Sequence, residues 1–176
     1  MPLPLVYYDN PLLRKKAKKI ESINKEIIKL SSNMIETMIH HSGVGLAAPQ
    51  VGVLLRIFVI RDEIVAPDGS FQLGEPEVLI NPVLSNPSKE TVLMSEGCLS
   101  IPGIHAELER PTKINIRYQT LDGHIRDEIA SDFRARVMMH ENDHINGVLF
   151  IDRLPPSSRN KIASHLREVK QRYPQS

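Results

Sequence analysis

His140-Glu141-Asn142-Asp143-His144 sets two imidazoles four positions apart, with a carboxylate next to the first. On a helix, residues i and i+4 stand one turn apart on the same face, so both rings can converge on a single metal ion. The adjoining glutamate can then reach a water on that ion without becoming a ligand, which is the arrangement metal-assisted hydrolysis needs. Phe133, Val137, His140 and His144 fall on one stripe at helical steps, so the helix is predicted independently of the motif.

Two histidines leave such a site incomplete, because a hydrolytic metal is commonly held by three protein groups with one position open. Cys98, another histidine and an acidic residue are all candidates for the third. Cys98 lies in Glu96-Gly97-Cys98-Leu99-Ser100, just after a predicted strand, and glycine there lets backbone approach a site closely. A lone cysteine is ordinarily a buried thiol; the paired histidines are what argue for ligation. His40, His41, His105, His124 and His165 lack ligand-like spacing and read as solvated.

These groups need a scaffold. The 176 residues are enough for one globular domain with a real core, and neither an internal repeat nor a low-complexity linker divides them. Asn10-Pro11 reads as the cap and first position of a short helix to about Lys18. Ile27, Leu30, Met34 and Met38 recur at helical spacing and predict a helix from Asn24 to His41, stopped by Gly43. Gly43–Gly52 reads as a loop whose backbone closely approaches something. Leu55–Ile60, Val78–Leu84, Thr91–Met94 and Lys113–Gln119 read as strands, and Asp122-Gly123 as the turn leading into another at His124–Ile129. The metal-motif helix starts near Ser131 and stops before Gly147. A terminal helix follows Pro155-Pro156, with Ile162, Leu166, Val169 and Tyr173 on one stripe. Strands flanked by helices without βαβ alternation predict an α+β fold.

Composition narrows the function. The net charge of +1 gives no global reason to bind nucleic acid or anionic lipid. No apolar run reaches membrane-span length, and the N-terminus lacks the pattern of a secretory signal. With one cysteine there is no disulfide framework either, so a reducing, cytoplasmic-type compartment is expected, and an organellar form with its transit peptide removed would look the same.

Three separated segments fit one known pattern. The chain resembles peptide deformylase, whose hallmarks are a G-x-G-x-A-A-x-Q loop, an E-G-C-x-S segment and an H-E-x-D-H helix. Here they read Gly43-Val-Gly-Leu-Ala-Ala-Pro-Gln50, Glu96-Gly-Cys-Leu-Ser100 and His140-Glu-Asn-Asp-His144, in that order. The resemblance implies small antiparallel sheets wrapped around the metal-binding helix. It implies that Cys98, His140 and His144 bind the metal and that Glu141 is the general base or acid. The Gln50 amide and the Leu99 N–H would hold the oxyanion, while Val44, Gly45 and Gly97 pair with the backbone of an extended substrate. It also implies that Phe133 and Val137 wall a pocket for the methionine side chain of a formyl-methionyl nascent peptide, and that Glu96 and Arg110 pair. The residue types suit Zn²⁺ and are compatible with Fe²⁺, Co²⁺ and Ni²⁺; the resemblance implies Fe²⁺. Two positions depart from the pattern: Met139 stands where the family commonly has Gln, and Ile145 where it has Leu.

The last segment carries Arg159, Lys161, Arg167, Lys170 and Arg172 against Glu168 alone. Such a helix is usually a solvated face over a packed stripe, and the resemblance adds docking on ribosomal RNA as an expectation. Two other readings of the metal motif are a peptidase cutting internal bonds and a binding protein with a closed structural site. The first more often takes a downstream His or Glu as third ligand, and only Asp152 and His165 lie near. The second needs a fourth protein ligand that a single cysteine makes hard to supply.

Overall fold

The computed structural model describes residues 1–174. Its strands are β1 (Gly45–Ala47), β2 (Ile57–Ile60), β3 (Glu63–Val65), β4 (Phe71–Leu73), β5 (Glu77–Ser85), β6 (Thr91–Cys98), β7 (Ile101–Pro111), β8 (Lys113–Gln119) and β9 (Ile125–Ser131). Three helices accompany them: α1 (Lys25–His40), α2 (Asp132–Ile145) and α3 (Pro156–Arg172). The fold is α+β, as expected, with α2 at its centre.

Five strands form one antiparallel sheet in the order β1-β2-β5-β8-β9. The run Ile57-Phe58-Val59-Ile60 is buried throughout because β2 has a helix on each side. Phe58 and Ile60 face α2, where they join Leu79, Ile116, Met138 and Ile145 in one core. Ile57 and Val59 face the other way, into a second core with Met34 and Met38 of α1. Asn24 starts α1 by accepting from the N–H groups of Glu26 (3.1 Å) and Ile27 (3.0 Å).

β6 and β7 form a separate hairpin. Ile104 and Leu108 of β7 pack with Phe150 and with Ile162, Leu166 and Val169 of α3 in a third core. The hairpin and α3 thus flank α2 opposite the large sheet, and the metal motif is held between two layers.

Four expectations are corrected. The helix expected from Asn10 to Lys18 is a single 3₁₀ turn over Pro11–Arg14, capped by Asn10 Oδ1 on the Leu12 N–H (2.9 Å). Tertiary pairing then draws the chain out straight: the Ala17 N–H donates to the Ile145 carbonyl (2.9 Å) and the Lys18 N–H to that of Leu54 (2.9 Å). The loop expected over Gly43–Gly52 contains β1 and a 3₁₀ turn, Ala48–Val51. The strand expected to end at Met94 runs on to Cys98, so the cysteine lies in a strand rather than after one. The long strand β7 and the small β3–β4 hairpin were not expected at all.

Candidate metal centre

Cys98 closes β6, where the β6–β7 register shifts between Gly97 and Cys98. That irregularity turns its thiol toward α2, whose buried face carries His140, Glu141 and His144. Cys98 Sγ lies 3.3 Å from His144 Nε2, which lies 3.3 Å from His140 Nε2. All three potential ligand atoms lie within 4.8 Å of one another. The five histidines read as solvated are exposed and stand outside this group.

Glu96 organises the ring next to it. Its carboxylate accepts from His140 Nδ1 (2.9 Å), Arg110 Nε (2.6 Å) and Nη2 (2.9 Å), and Arg136 Nη1 (2.6 Å). With Nδ1 donating outward, the Nε2 lone pair of His140 is left to face the thiol and His144, the usual way a protein sets a metal-binding imidazole. Arg110 and Glu96 pair as expected, and Arg110 also reaches Asp143 (3.0 Å), which Arg153 grips from outside at 2.7 and 2.6 Å. Burial works to raise the Glu96 carboxyl, but hydrogen bonds from His140 and Arg110 prevail and hold it at about 2. Arg136 and Asp143 belong to this network without having been singled out. Its place on the helical stripe of Phe133 and His140 was the only signal for the first, and the second lay hidden inside the motif.

The group is suited to a cation. Burial opposes a charge on His140, yet Cys98, Glu96 and Glu141 together raise its pKa well above the ordinary value. Surroundings that attract a proton this way also favour a divalent ion, and a thiolate with two imidazoles is a proper donor set for one. His144 moves the other way, lowered by burial and by the neighbouring His140. Glu141 is pushed up to about 7, by burial first and by Glu96 and Asp143, against the pull of His140. Its Oε2 is buried without a hydrogen-bond partner, a costly arrangement unless a ligand or water completes it.

An open cavity of about 660 Å³ adjoins the group. Val44, Gly45, Gln50, Gly97 and Leu99 line it, as do Phe133 and Val137 from α2 beside His140 and Glu141. Nearly every site residue singled out in the sequence therefore meets at one hollow; His144 lies behind it. β1, at the edge of the large sheet, and β6 supply two of the walls. A Cβ at Gly45 would overlap the Glu141 carboxylate, coming within 2.8 Å of Cδ, so a larger residue there must displace that carboxylate. Gln50 is oriented by its own carbonyl, which accepts the Ala47 N–H (2.8 Å); its amide nitrogen then donates toward Ser100 Oγ (3.2 Å) and Cys98 Sγ (3.5 Å). Met139, the departure next to His140, packs in the core between α2 and the sheet. Ile145 is buried there too.

A thiol–imidazole group of this kind, set beside a buried carboxylate at an accessible hollow, marks a metal-dependent hydrolase. The profile of the polypeptide deformylase family matches residues 2–160. A peptide deformylase of Pseudothermotoga lettingae is 42% identical over 160 residues, covering 91% of this chain and 87% of that protein. One from Thermotoga petrophila is 40% identical over 163 residues, covering 92% and 93%. Among solved structures, a plant peptide deformylase superimposes with a TM-score of 0.89 at 35% identity, over 98% of this chain and 91% of that one. The peptide deformylase of Ehrlichia chaffeensis gives 0.88 at 33% identity, over 98% and 97%. The chain belongs to the polypeptide deformylase family. It is a hydrolase that removes the N-terminal formyl group from newly made polypeptides.

Proposed function

We propose that residues 1–176 form one catalytic unit and that the residues around the hollow divide the deformylation of formyl-methionyl peptides as follows. The observation that carries this is the buried, unpartnered Glu141 Oε2 beside the Cys98–His140–His144 group at the cavity floor. Cys98, His140 and His144 hold one divalent ion, which when bound lowers the pKa of a water toward about 7. Glu141 takes the proton of the attacking water and delivers it to the departing amine, so that water and formamide become formate and a free N-terminus. The Gln50 amide and the Leu99 N–H hold the formyl oxygen as negative charge gathers on it, and losing one such donor typically costs about 10²–10³ in rate.

Phe133 and Val137 receive the methionine side chain. The backbone of the substrate lies extended against Val44, Gly45 and Gly97, at the borders of β1 and β6. A grip through backbone and one side chain tolerates many downstream sequences. Fe²⁺ is the resident ion in this reading, with Zn²⁺, Ni²⁺ and Co²⁺ compatible with the same ligands. No helix among the described residues is long and apolar enough to cross a membrane, and the lone thiol suits a reducing, cytoplasmic compartment.

The test is formate release from formyl-Met-Ala-Ser by anaerobically prepared protein loaded with Fe²⁺ or with Zn²⁺. The expected result is release that is faster with iron and abolished by Glu141→Ala. Release that persists in a folded, metal-loaded Glu141→Ala variant would remove Glu141 from the chemistry. Equal rates with the two ions would remove the preference for iron.

A further inference from the structure

The cavity continues past the metal group. One wall includes Tyr173, which closes α3, and Tyr7 from the N-terminal segment. Their rings stack with centroids 3.9 Å apart and planes 18° apart, and both residues stay half-buried. A second cavity of about 320 Å³ adjoins the first, and the two share Pro102, Gly103, Ile104 and Tyr173. Cys98, Gln50, His140 and Glu141 line only the larger one. Tyr173 therefore stands where the two cavities adjoin.

Tyr173 is held in place by more than its stack. Ile162, Leu166 and Val169 anchor α3 on Ile104 and Leu108, and Lys170 Nζ pairs with Asp9 Oδ2 at 2.9 Å, tying the last turn to the segment that carries Tyr7. The match to the family profile covers residues 2–160, so it includes Tyr7 and ends short of Tyr173. Two half-buried rings facing a hollow offer apolar area and a π-surface that backbone contacts elsewhere in the site do not.

We propose that Tyr173, stacked on Tyr7, is a specificity-determining residue. The pair forms an aromatic shelf that binds the side chain of one of the two residues following formyl-methionine, and it favours aromatic side chains there. This rests on the deformylase reading of the neighbouring site. An aromatic pair of this kind discriminates by about 2–10-fold.

The experiment compares wild type, Tyr173→Ala and Tyr173→Phe on formyl-Met-Ala-Ser, formyl-Met-Phe-Ser and formyl-Met-Ala-Phe, with calorimetric binding of Met-Ala-Phe and Met-Ala-Ser alongside. Wild type is expected to prefer at least one aromatic peptide. In Tyr173→Ala the ratio of kcat/KM for that peptide to kcat/KM for formyl-Met-Ala-Ser falls by about 2–10-fold, through KM rather than kcat; Tyr173→Phe restores the preference. A uniform loss on all three peptides would assign Tyr173 a structural role only and overturn the proposal, as would no change. Absence of formate release from wild type, with Met-Ala-Phe still bound more tightly than Met-Ala-Ser through Tyr173, would sink the deformylase reading and leave the shelf standing.

Discussion

Replacing Glu96 with glutamine keeps the side chain's shape and turns half of its acceptor contacts into clashes between donors. The carboxylate receives Arg110 Nη2 and His140 Nδ1 on Oε1, and Arg110 Nε and Arg136 Nη1 on Oε2. The amide has a single acceptor oxygen, so its NH₂ must face one of these two pairs. Breaking a buried ion pair from one side costs about 3–5 kcal/mol, because the remaining charges stay buried and uncompensated. Titration gives a similar figure: a carboxyl brought from 4.5 to about 2 on folding contributes about 3 kcal/mol. For a chain of this size roughly 2–4 °C accompany each kcal/mol, so Glu96→Gln is expected to lower Tm by roughly 6–20 °C.

The pH dependence follows from the direction of the shift. Because the folded-state pKa lies below the unfolded one, the contribution of Glu96 is complete above 4.5 and fades as pH falls toward about 2. Glutamine has no proton to gain. Urea denaturation of the metal-free proteins should therefore show the full gap at pH 7 and a gap that narrows progressively below pH 4.5. A constant gap from pH 7 to pH 3.5, or a Tm difference under about 2 °C at pH 7, would refute the assignment of Glu96 as the ionised centre of this network.

Gly45→Ala places a methyl against the Glu141 carboxylate; displacing it by about 1 Å should lower kcat/KM by about 10². Metal content by elemental analysis should be unchanged, and unaltered kinetics would show that Glu141 moves aside at no cost. Reversal of Lys161, Arg167 and Arg172 to glutamate, at exposed positions of α3, should abolish co-sedimentation with ribosomes if that helix docks on RNA phosphates. Binding that survives the triple reversal would reject docking through α3. Deletion of α3 is the poorer test, since it removes Ile162, Leu166 and Val169 from a core.

The parts most legible in the sequence were those whose order is local. Lys25–His40 is written in the Asn24 cap and its apolar stripe, and Lys113–Gln119 in alternating residues before Asp122-Gly123. The two histidines of α2 share a face because helix geometry alone puts them there. What depended on distant pairing was harder to read. Strand β7 opens with Pro102 and Gly103, which look like a turn, and its inward row of Ile104, Ala106 and Leu108 continues with the charged Arg110. Only the ionic network around Glu96 explains that arginine's burial, and no local pattern announces such a network. The stretch after Arg14 had a helical composition but was captured by Ile145 and Leu54 as hydrogen-bond partners. Tyr7 and Tyr173 lie at opposite ends of the chain, and nothing near either one signals their contact.

Cys98 and His144 are 46 residues apart in sequence, on a hairpin and a helix that belong to different layers. An ion bound to both acts as a cross-link, whatever it does to substrate. Because its site exists only in the folded chain, the ion would stabilise the fold by mass action, by about 4 kcal/mol at a free concentration a thousandfold above its Kd. Such an ion would serve as a clasp in a chain whose single cysteine permits no internal disulfide. Oxidation of the single thiol would release such an ion, so one chemical injury at sulfur would remove a stabilising ligand and the reaction centre together.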